Sequence, residues 1–126
     1  MRRNILAVVV LLSAAGCAAS TSTGRGPGNR NVLTAAEIRT AQGSTAHEVI
    51  SQLRPEYLRT RGANSPTNPL PVTAEVYLDG LHFGSIESLG SLRAEQIVRV
   101  EYLNASDATT RFGTGHTGGA ILISTK

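Results

Sequence analysis

The sequence predicts an α+β domain in which short helices pack on one small mixed sheet. Two helix starts come first, each marked by a Thr-x-x-Glu pattern. An alternating strand with an Asp-Gly turn follows, and two further apolar strand segments lie nearer to Lys126. The predicted order is therefore helix, helix, strand, hairpin, helix, strand, helix and strand, and we find no internal repeat.

Two helices are predicted at the front of the domain. The first begins with a capping box at Thr34, and Gly43 is expected to end it. The second begins with a capping box at Thr45, and Pro55 ends it because a residue before proline leaves the helical region. One stripe of this second helix is apolar, at Ala46, Val49, Ile50 and Leu53.

The middle of the chain changes from loop to strand. Residues 57–61 predict a short strand, and three prolines within 62–71 predict an exposed loop. Apolar and polar residues alternate over 72–78, which places the even-numbered side chains on the core face. Asp79 and Gly80 then predict a tight turn into a hairpin arm at 81–83.

Four elements complete the domain. On the strand 97–103, Val98, Val100 and Tyr102 form the expected core face. Glu101 lies on the opposite face near Arg99, where an exposed or cross-strand ion pair is expected. The four elements are helical turns over 86–92, a strand over 97–103, a helix over 105–112 closed by Gly113, and a strand over 120–125.

The first residues predict export. The chain starts with a positive segment, followed by a short apolar run to Leu12 and small residues before Cys17. This run is too short to cross about 30 Å of hydrocarbon, so it is typical of a secretory signal. The small residues before Cys17 resemble a bacterial lipoprotein signal with Cys17 as the lipidated residue. An ordinary cleaved signal with an incidental cysteine is the alternative.

The lipoprotein interpretation divides the chain into a signal peptide at 1–16, a lipidated cysteine with a flexible Ser/Thr/Gly-rich tether at 17–30, and a folded domain at 31–126. Lipoprotein sorting implies the periplasmic face of the outer membrane, because Ala18 stands where an acidic retention residue would sit. Removal of Arg2 and Arg3 lowers the formal charge from +3 to +1. Aromatic content is 4%, so we expect no nucleic-acid partner.

Patterns typical of catalysis, metal binding or nucleotide binding are weak. The segment 113–118 spells G-x-G-x-x-G, but a helix precedes it and a strand follows, the reverse of a dinucleotide site. His47, His82 and His116 have no local partner at metal-ligand spacing. We interpret them as a helix-surface, a hairpin and a loop side chain. We therefore expect no enzyme activity, no cofactor and no metal.

The arginines leave two alternatives open. They could form a basic face near an anionic membrane, or they could be dispersed and solvated, and the dispersed arrangement is favoured. The residues concerned are Arg54, Arg59, Arg61, Arg93, Arg99 and Arg111.

Four segments of the domain, in this order and spacing, resemble the plug domain of TonB-dependent outer-membrane receptors. They are a strand ending in Asp-Gly at 76–80, a strand at 97–103, a short helix closed by aromatic-Gly at 105–113, and a strand ending in Thr-Lys at 118–126. With the looser N-terminal half included, the resemblance covers 31–126. The matching residues are Asp79, Gly80, Glu101, Tyr102, Phe112, Gly113, Gly119, Thr125 and Lys126.

The resemblance implies a plug-like fold and a place in envelope transport. In receptors the plug sits inside a barrel, contributes to substrate binding and is remodelled by TonB. Most matching residues are expected to be structural, and Asp79 is expected to serve the turn rather than a ligand. The chain shows neither barrel strands nor a convincing TonB box, so we expect a stand-alone module, anchored in the membrane through its lipid.

Its expected partner is an outer-membrane barrel, another envelope protein or the cell wall. The final strand, if it lay at an open sheet edge, would offer one route to that partner by strand addition. The alternative is a small-molecule or glycan binder that hands cargo to a transporter. That function predicts a pocket lined by the loops 63–70 and 84–90.

Overall fold

The computed structural model describes residues 29–60, 62 and 71–126, so the predicted signal, Cys17 and the loop 63–70 lie outside the described residues. The strands are β1 (Val32–Thr34), β2 (Glu75–Leu78), β3 (Leu81–Ser85), β4 (Ile97–Leu103) and β5 (Ala120–Thr125). The α-helices are α1 (Ala35–Thr40), α2 (Ala46–Leu53) and α3 (Ala105–Phe112). Short 3₁₀ helices span Pro55–Leu58, Ile86–Ser91 and Ala94–Gln96.

The strands form one five-stranded sheet in the order β1-β4-β5-β2-β3. β5 pairs antiparallel with β4 and parallel with β2, so the sheet is mixed. The predicted α+β class with a small mixed sheet is confirmed. The final strand is central, however, so the expectation that it could lie at an open edge is wrong. The edges are β1 and β3.

Both capping boxes are present. In α1 and α2 the threonine side chain accepts from the backbone N–H three residues later, and the glutamate accepts from the threonine N–H. The predicted end of α1 is wrong, because the helix stops at Thr40 and the extended Ala41 caps it. Gly43 has another role. A Cβ there would lie 2.9 Å from the Glu48 Cβ, so glycine lets the α1–α2 connection approach α2 closely.

The segment after α2 is a 3₁₀ helix rather than the strand expected at 57–61. Pro55 occupies its first position, where a fixed φ and a missing N–H favour helical structure. The turn brings the Tyr57 ring into the protein, where it stacks on Tyr102 with ring centroids 5.0 Å apart. β1, which the sequence did not indicate, is only three residues long and pairs with β4. It is too short to show periodicity.

The predicted hairpin is present. Asp79 has φ 49° and Gly80 has φ 87°, the positive angles that a two-residue type I′ turn requires. β2 begins at Glu75 rather than at residue 72. Val76 and Tyr77 are both buried although they point to opposite faces, because helices cover both faces of the sheet.

The larger core lies on the face covered by α1, α2 and the 3₁₀ helices. Its buried strand residues are Leu33, Val76, Ile97, Val100, Ile121 and Ile123. Val98, expected in this core, is only partly buried and is not among its members. The register of β4 against β5 shifts between Ile97 and Arg99, and this bulge turns Ile97 inward in place of Val98.

The smaller core lies on the opposite face, under α3. Tyr77, Ala108 and Ala120 are its buried members, and Leu103, Phe112 and Leu122 pack around them. Gly113, with φ 93°, ends α3 as expected. No helix within the described ranges is long and apolar enough to cross a membrane.

Candidate functional site

Asp79 and Thr125, both part of the plug-like pattern, are brought together by the sheet. The Asp79 carboxylate accepts the Thr125 backbone N–H at 2.9 Å and the Thr125 hydroxyl at 2.6 Å. These hydrogen bonds lower the pKa of Asp79 below its ordinary value, and the bond from the Thr125 hydroxyl has the largest effect. Asp79 therefore serves the hairpin turn and also fastens the end of β5 to it, a pairing we call the Asp79–Thr125 latch.

The glycine-rich segment after α3 is organised by a buried histidine. His116 is 8% exposed, although its loop position predicted only a loop side chain. Its Nδ1 lies 2.9 Å from the Gly113 carbonyl oxygen, and its Nε2 lies 2.7 Å from the Tyr77 hydroxyl. The tautomer protonated at Nδ1 satisfies both contacts, because Nε2 then accepts the Tyr77 O–H.

The Tyr77 ring joins this histidine to α3. It stacks on Phe112 with centroids 3.9 Å apart, and its burial raises the pKa of the Tyr77 hydroxyl. The Arg111 guanidinium lies 5.4 Å from the Phe112 centroid, within cation–π range. Phe112 thus belongs to the small core, and the aromatic-Gly pattern marks the end of α3 packing against β2.

Gly118 and Gly119 let the chain pass between β2 and β4. A Cβ at Gly118 would lie 2.0 Å from the Thr73 carbonyl oxygen, and one at Gly119 would lie 2.4 Å from the Leu103 carbonyl oxygen. The Tyr102 hydroxyl donates to the Gly118 carbonyl oxygen at 3.3 Å. The G-x-G-x-x-G string therefore occupies a tightly packed crossing rather than a loop open to a phosphate.

The remaining pattern residues make surface contacts. Glu101 pairs with Arg99 at 3.2 Å on the face opposite Val100, which confirms the expected ion pair. The Lys126 backbone N–H donates to the Gln96 carbonyl oxygen at 3.1 Å. The ion pair lies within β4, whereas the Lys126 contact joins the end of β5 to the 3₁₀ helix Ala94–Gln96.

The histidines do not converge. His47 is exposed on α2, and His82 is exposed on β3, where its Nε2 lies 2.8 Å from a Glu75 carboxylate oxygen. Across the described part of the chain, no group of three or more His, Cys, Asp or Glu side chains could hold a metal ion.

Among the described residues, two large apolar side chains are exposed, and both lie on the edge strand β3. Leu81 is 76% exposed and Phe83 is 40% exposed. Tyr77 pairs with His82 and Val76 pairs with Gly84, so Phe83 lies at a bulge between them. Edge strands also present unpaired backbone N–H and C=O groups. The sequence pattern predicted the hairpin but not that its second arm would lie at the edge.

Shallow hollows occur among the residues that the structure describes. One hollow of about 530 Å³ is lined in part by Gly90, which belongs to the proposed loop 84–90. A hollow of about 360 Å³ between α1 and β4 is lined by Ile38, Arg39, Ala41, Gly43, Ala94, Glu95, Ile97 and Lys126. A third, of about 580 Å³, is lined by Arg30, Asn31, Glu56, Tyr57, Arg59 and Tyr102. We call this last one the tyrosine hollow.

The arginines are spread over several surfaces. Arg54 pairs with Glu37 at 3.4 Å, and Arg99 pairs with Glu101. Arg93 lines the hollow that contains Gly90, and Arg111 lies over Phe112. Arg59 and Arg30 both line the tyrosine hollow. The described members of the predicted set therefore do not share one face.

No family model matches the chain, and no curated protein matches it.

Proposed function

We propose that this protein is a non-catalytic, plug-like interaction module, anchored through a lipid on Cys17 at the periplasmic face of the outer membrane. Its partner is an extended segment of an outer-membrane barrel protein, and the module is an accessory to TonB-dependent uptake. The observation that carries the proposal is the β3 edge, where Leu81 and Phe83 are exposed beside unpaired backbone groups.

The chemistry of this edge fits an extended polypeptide. The two-residue turn makes Leu78 and Leu81 a hydrogen-bonded pair, so the backbone groups of the next residue, His82, point away from β2. An added strand would pair with these groups, and its apolar side chains would cover Leu81 and Phe83. Most residues of the plug-like pattern are engaged in the latch, the crossing and the small core. The β3 edge is therefore the surface that remains for binding a partner.

In-cell crosslinking of the tagged lipoprotein, followed by mass spectrometry, tests the partner. We expect recovery of an outer-membrane barrel protein, and loss of that adduct in Leu81→Asp/Phe83→Asp. Thr109→Asp, at an exposed position of α3, is the matched control and should retain the adduct. Recovery of only the protein itself, or an adduct that survives in Leu81→Asp/Phe83→Asp, would contradict the proposal.

Lipid anchorage is tested separately with Cys17→Ser. This variant should appear in the soluble fraction, and it should not incorporate radiolabelled palmitate. A Cys17→Ser protein that stays with the membrane would contradict anchorage through this residue.

The second candidate function, a small-molecule binder, is favoured by the hollow between α1 and β4. Its volume of about 360 Å³ falls within the range of small-ligand sites. Apolar side chains such as Ile38 and Ile97 line it together with charged Arg39 and Glu95. A ligand bound there would raise the melting temperature, and Ala41→Leu, which fills the hollow, should remove that increase.

A further inference from the structure

We infer that the tyrosine hollow docks the domain on the phosphate groups of anionic phospholipids. This inference rests on the proposed lipid anchorage, since it gives the anchored domain a preferred orientation on its own membrane. The hollow lies far from the β3 edge, because Asn31 directly precedes β1 and Tyr102 belongs to β4, whereas β3 is the opposite edge of the sheet.

Charge is the first argument. Arg30 and Arg59 line the hollow and are exposed. Neither forms a salt bridge within the part of the chain that the structure describes, whereas Arg54 and Arg99 do. Two unpaired guanidinium groups at one hollow match phosphate oxygens, which arginine binds in a bidentate manner. Glu56 also lines the hollow, and its negative charge disfavours phosphate there.

The aromatic lining is the second argument. Tyr57 and Tyr102 stack on one another, and both line the hollow. The Tyr57 hydroxyl donates to the Arg30 carbonyl oxygen, and burial raises the Tyr57 pKa to about 12, so this hydroxyl adds no negative charge. Tyr57 itself is buried, so the partly exposed Tyr102 is the ring that the hollow presents to solvent. A tyrosine suits the boundary between lipid and water, because its ring is apolar and its hydroxyl is polar.

Position in the chain is the third argument. Arg30 follows Cys17 by thirteen residues, so the hollow is the described surface nearest in sequence to the predicted lipid. The tether that the sequence predicts would reach about 20 Å. Since the anchor holds the hollow near the headgroups, even weak binding becomes effective through a raised local concentration.

The test uses residues 17–126 with Cys17→Ser, so that binding does not depend on the lipid or on a protein partner. We measure partitioning onto vesicles of phosphatidylcholine alone and of phosphatidylcholine mixed with phosphatidylglycerol. We expect binding to the anionic vesicles only, weakened by salt. Each arginine near an anionic surface raises the partition coefficient about five-fold. Arg30→Gln/Arg59→Gln should therefore weaken partitioning about 25-fold.

Arg39→Gln/Arg93→Gln is the matched control, because it removes the same charge from other surfaces. It should weaken partitioning much less, and Glu56→Gln should strengthen it. Equal loss in both double variants, or equal binding to neutral vesicles, would overturn the inference. Displacement by inorganic phosphate, beyond that caused by sodium chloride of equal ionic strength, would assign the hollow to free phosphate and also overturn it. Failure of the proposed function would instead appear in the crosslinking and palmitate experiments.

Discussion

The two faces of the sheet are covered in different ways. One face carries a broad aliphatic core, which includes Ile50, Val100 and Ile121, beneath α1, α2 and the 3₁₀ helices. The other carries a small core of alanine, leucine and aromatic side chains beneath α3. The larger core contains most of the buried apolar residues, while the smaller one positions the glycine-rich crossing through Tyr77 and His116.

The largest expected effect is on the aliphatic face. Val100→Asp buries a carboxylate in the larger core, and we expect a loss of more than about 4 kcal/mol in the free energy of unfolding. Loss of the folded circular dichroism signal and of cooperative urea unfolding would show it.

Val98→Asp is the matched control, because the bulge in β4 leaves Val98 outside that core. It should remain folded and lose clearly less stability. Equal damage from the two substitutions would mean that Val98 shares the core face, as the alternation alone predicted.

The crossing between β2 and β4 gives the next effect. Gly118→Ala would place a Cβ against the Thr73 carbonyl, and we expect a cost of about 3 kcal/mol. Gly90→Ala, where the added Cβ has no neighbour within 4 Å, should change stability little. Urea denaturation of the pair measures the difference, and a well-tolerated Gly118→Ala would contradict the close crossing.

The small core provides a subtler test. Tyr77→Phe keeps the ring stacked on Phe112 but removes the hydroxyl that His116 Nε2 accepts. We expect a loss of about 1 to 2 kcal/mol, since a buried acceptor is left without its donor. Thermal unfolding measures it, and NMR of the His116 ring should show the changed environment. An unchanged His116 spectrum would contradict this hydrogen bond.

The smallest effect concerns the Asp79–Thr125 latch and depends on pH. Because Thr125 lowers the folded-state pKa of Asp79, the latch stabilises the fold above the unfolded pKa of about 3.9. That contribution is lost as the pH falls through the folded pKa. Asp79→Asn keeps a residue that tolerates positive φ but removes this titration.

Urea unfolding from pH 6 to pH 2 measures the latch. The difference in stability between the native protein and Asp79→Asn should shrink as the solution becomes acidic. A difference that stays constant with pH would show that the carboxylate does not stabilise the fold through its charge.

Part of the fold could be predicted from the sequence. The capping boxes, the Asp-Gly turn and the apolar stripe of α2 depend on local residues, and the sequence predicted them correctly. A strand that is covered on both faces needs apolar side chains throughout. β5 accordingly has a continuous apolar run over 120–123, which is easy to recognise as a strand. The sheet order was not predictable, because it depends on pairing between residues far apart in the chain. That order decides that β3, not β5, is an edge.

The candidate surfaces were less predictable than the fold. Tyr77 and His116 are 39 residues apart in the chain, so no local pattern links them. The tyrosine hollow likewise joins Arg30, Arg59 and Tyr102 from separate elements. The exposure of Leu81 and Phe83 depends on how the faces of the sheet are covered, which no local pattern predicts.

Binding of a partner at the β3 edge is tested most directly by site-specific photo-crosslinking in cells from position 81. With a photoreactive phenylalanine at Leu81, we expect an adduct with an outer-membrane barrel protein, and no such adduct from the same probe at Thr109. Equal adducts from both positions, or none from position 81 in a folded and membrane-anchored protein, would contradict the claim that the β3 edge is the binding surface.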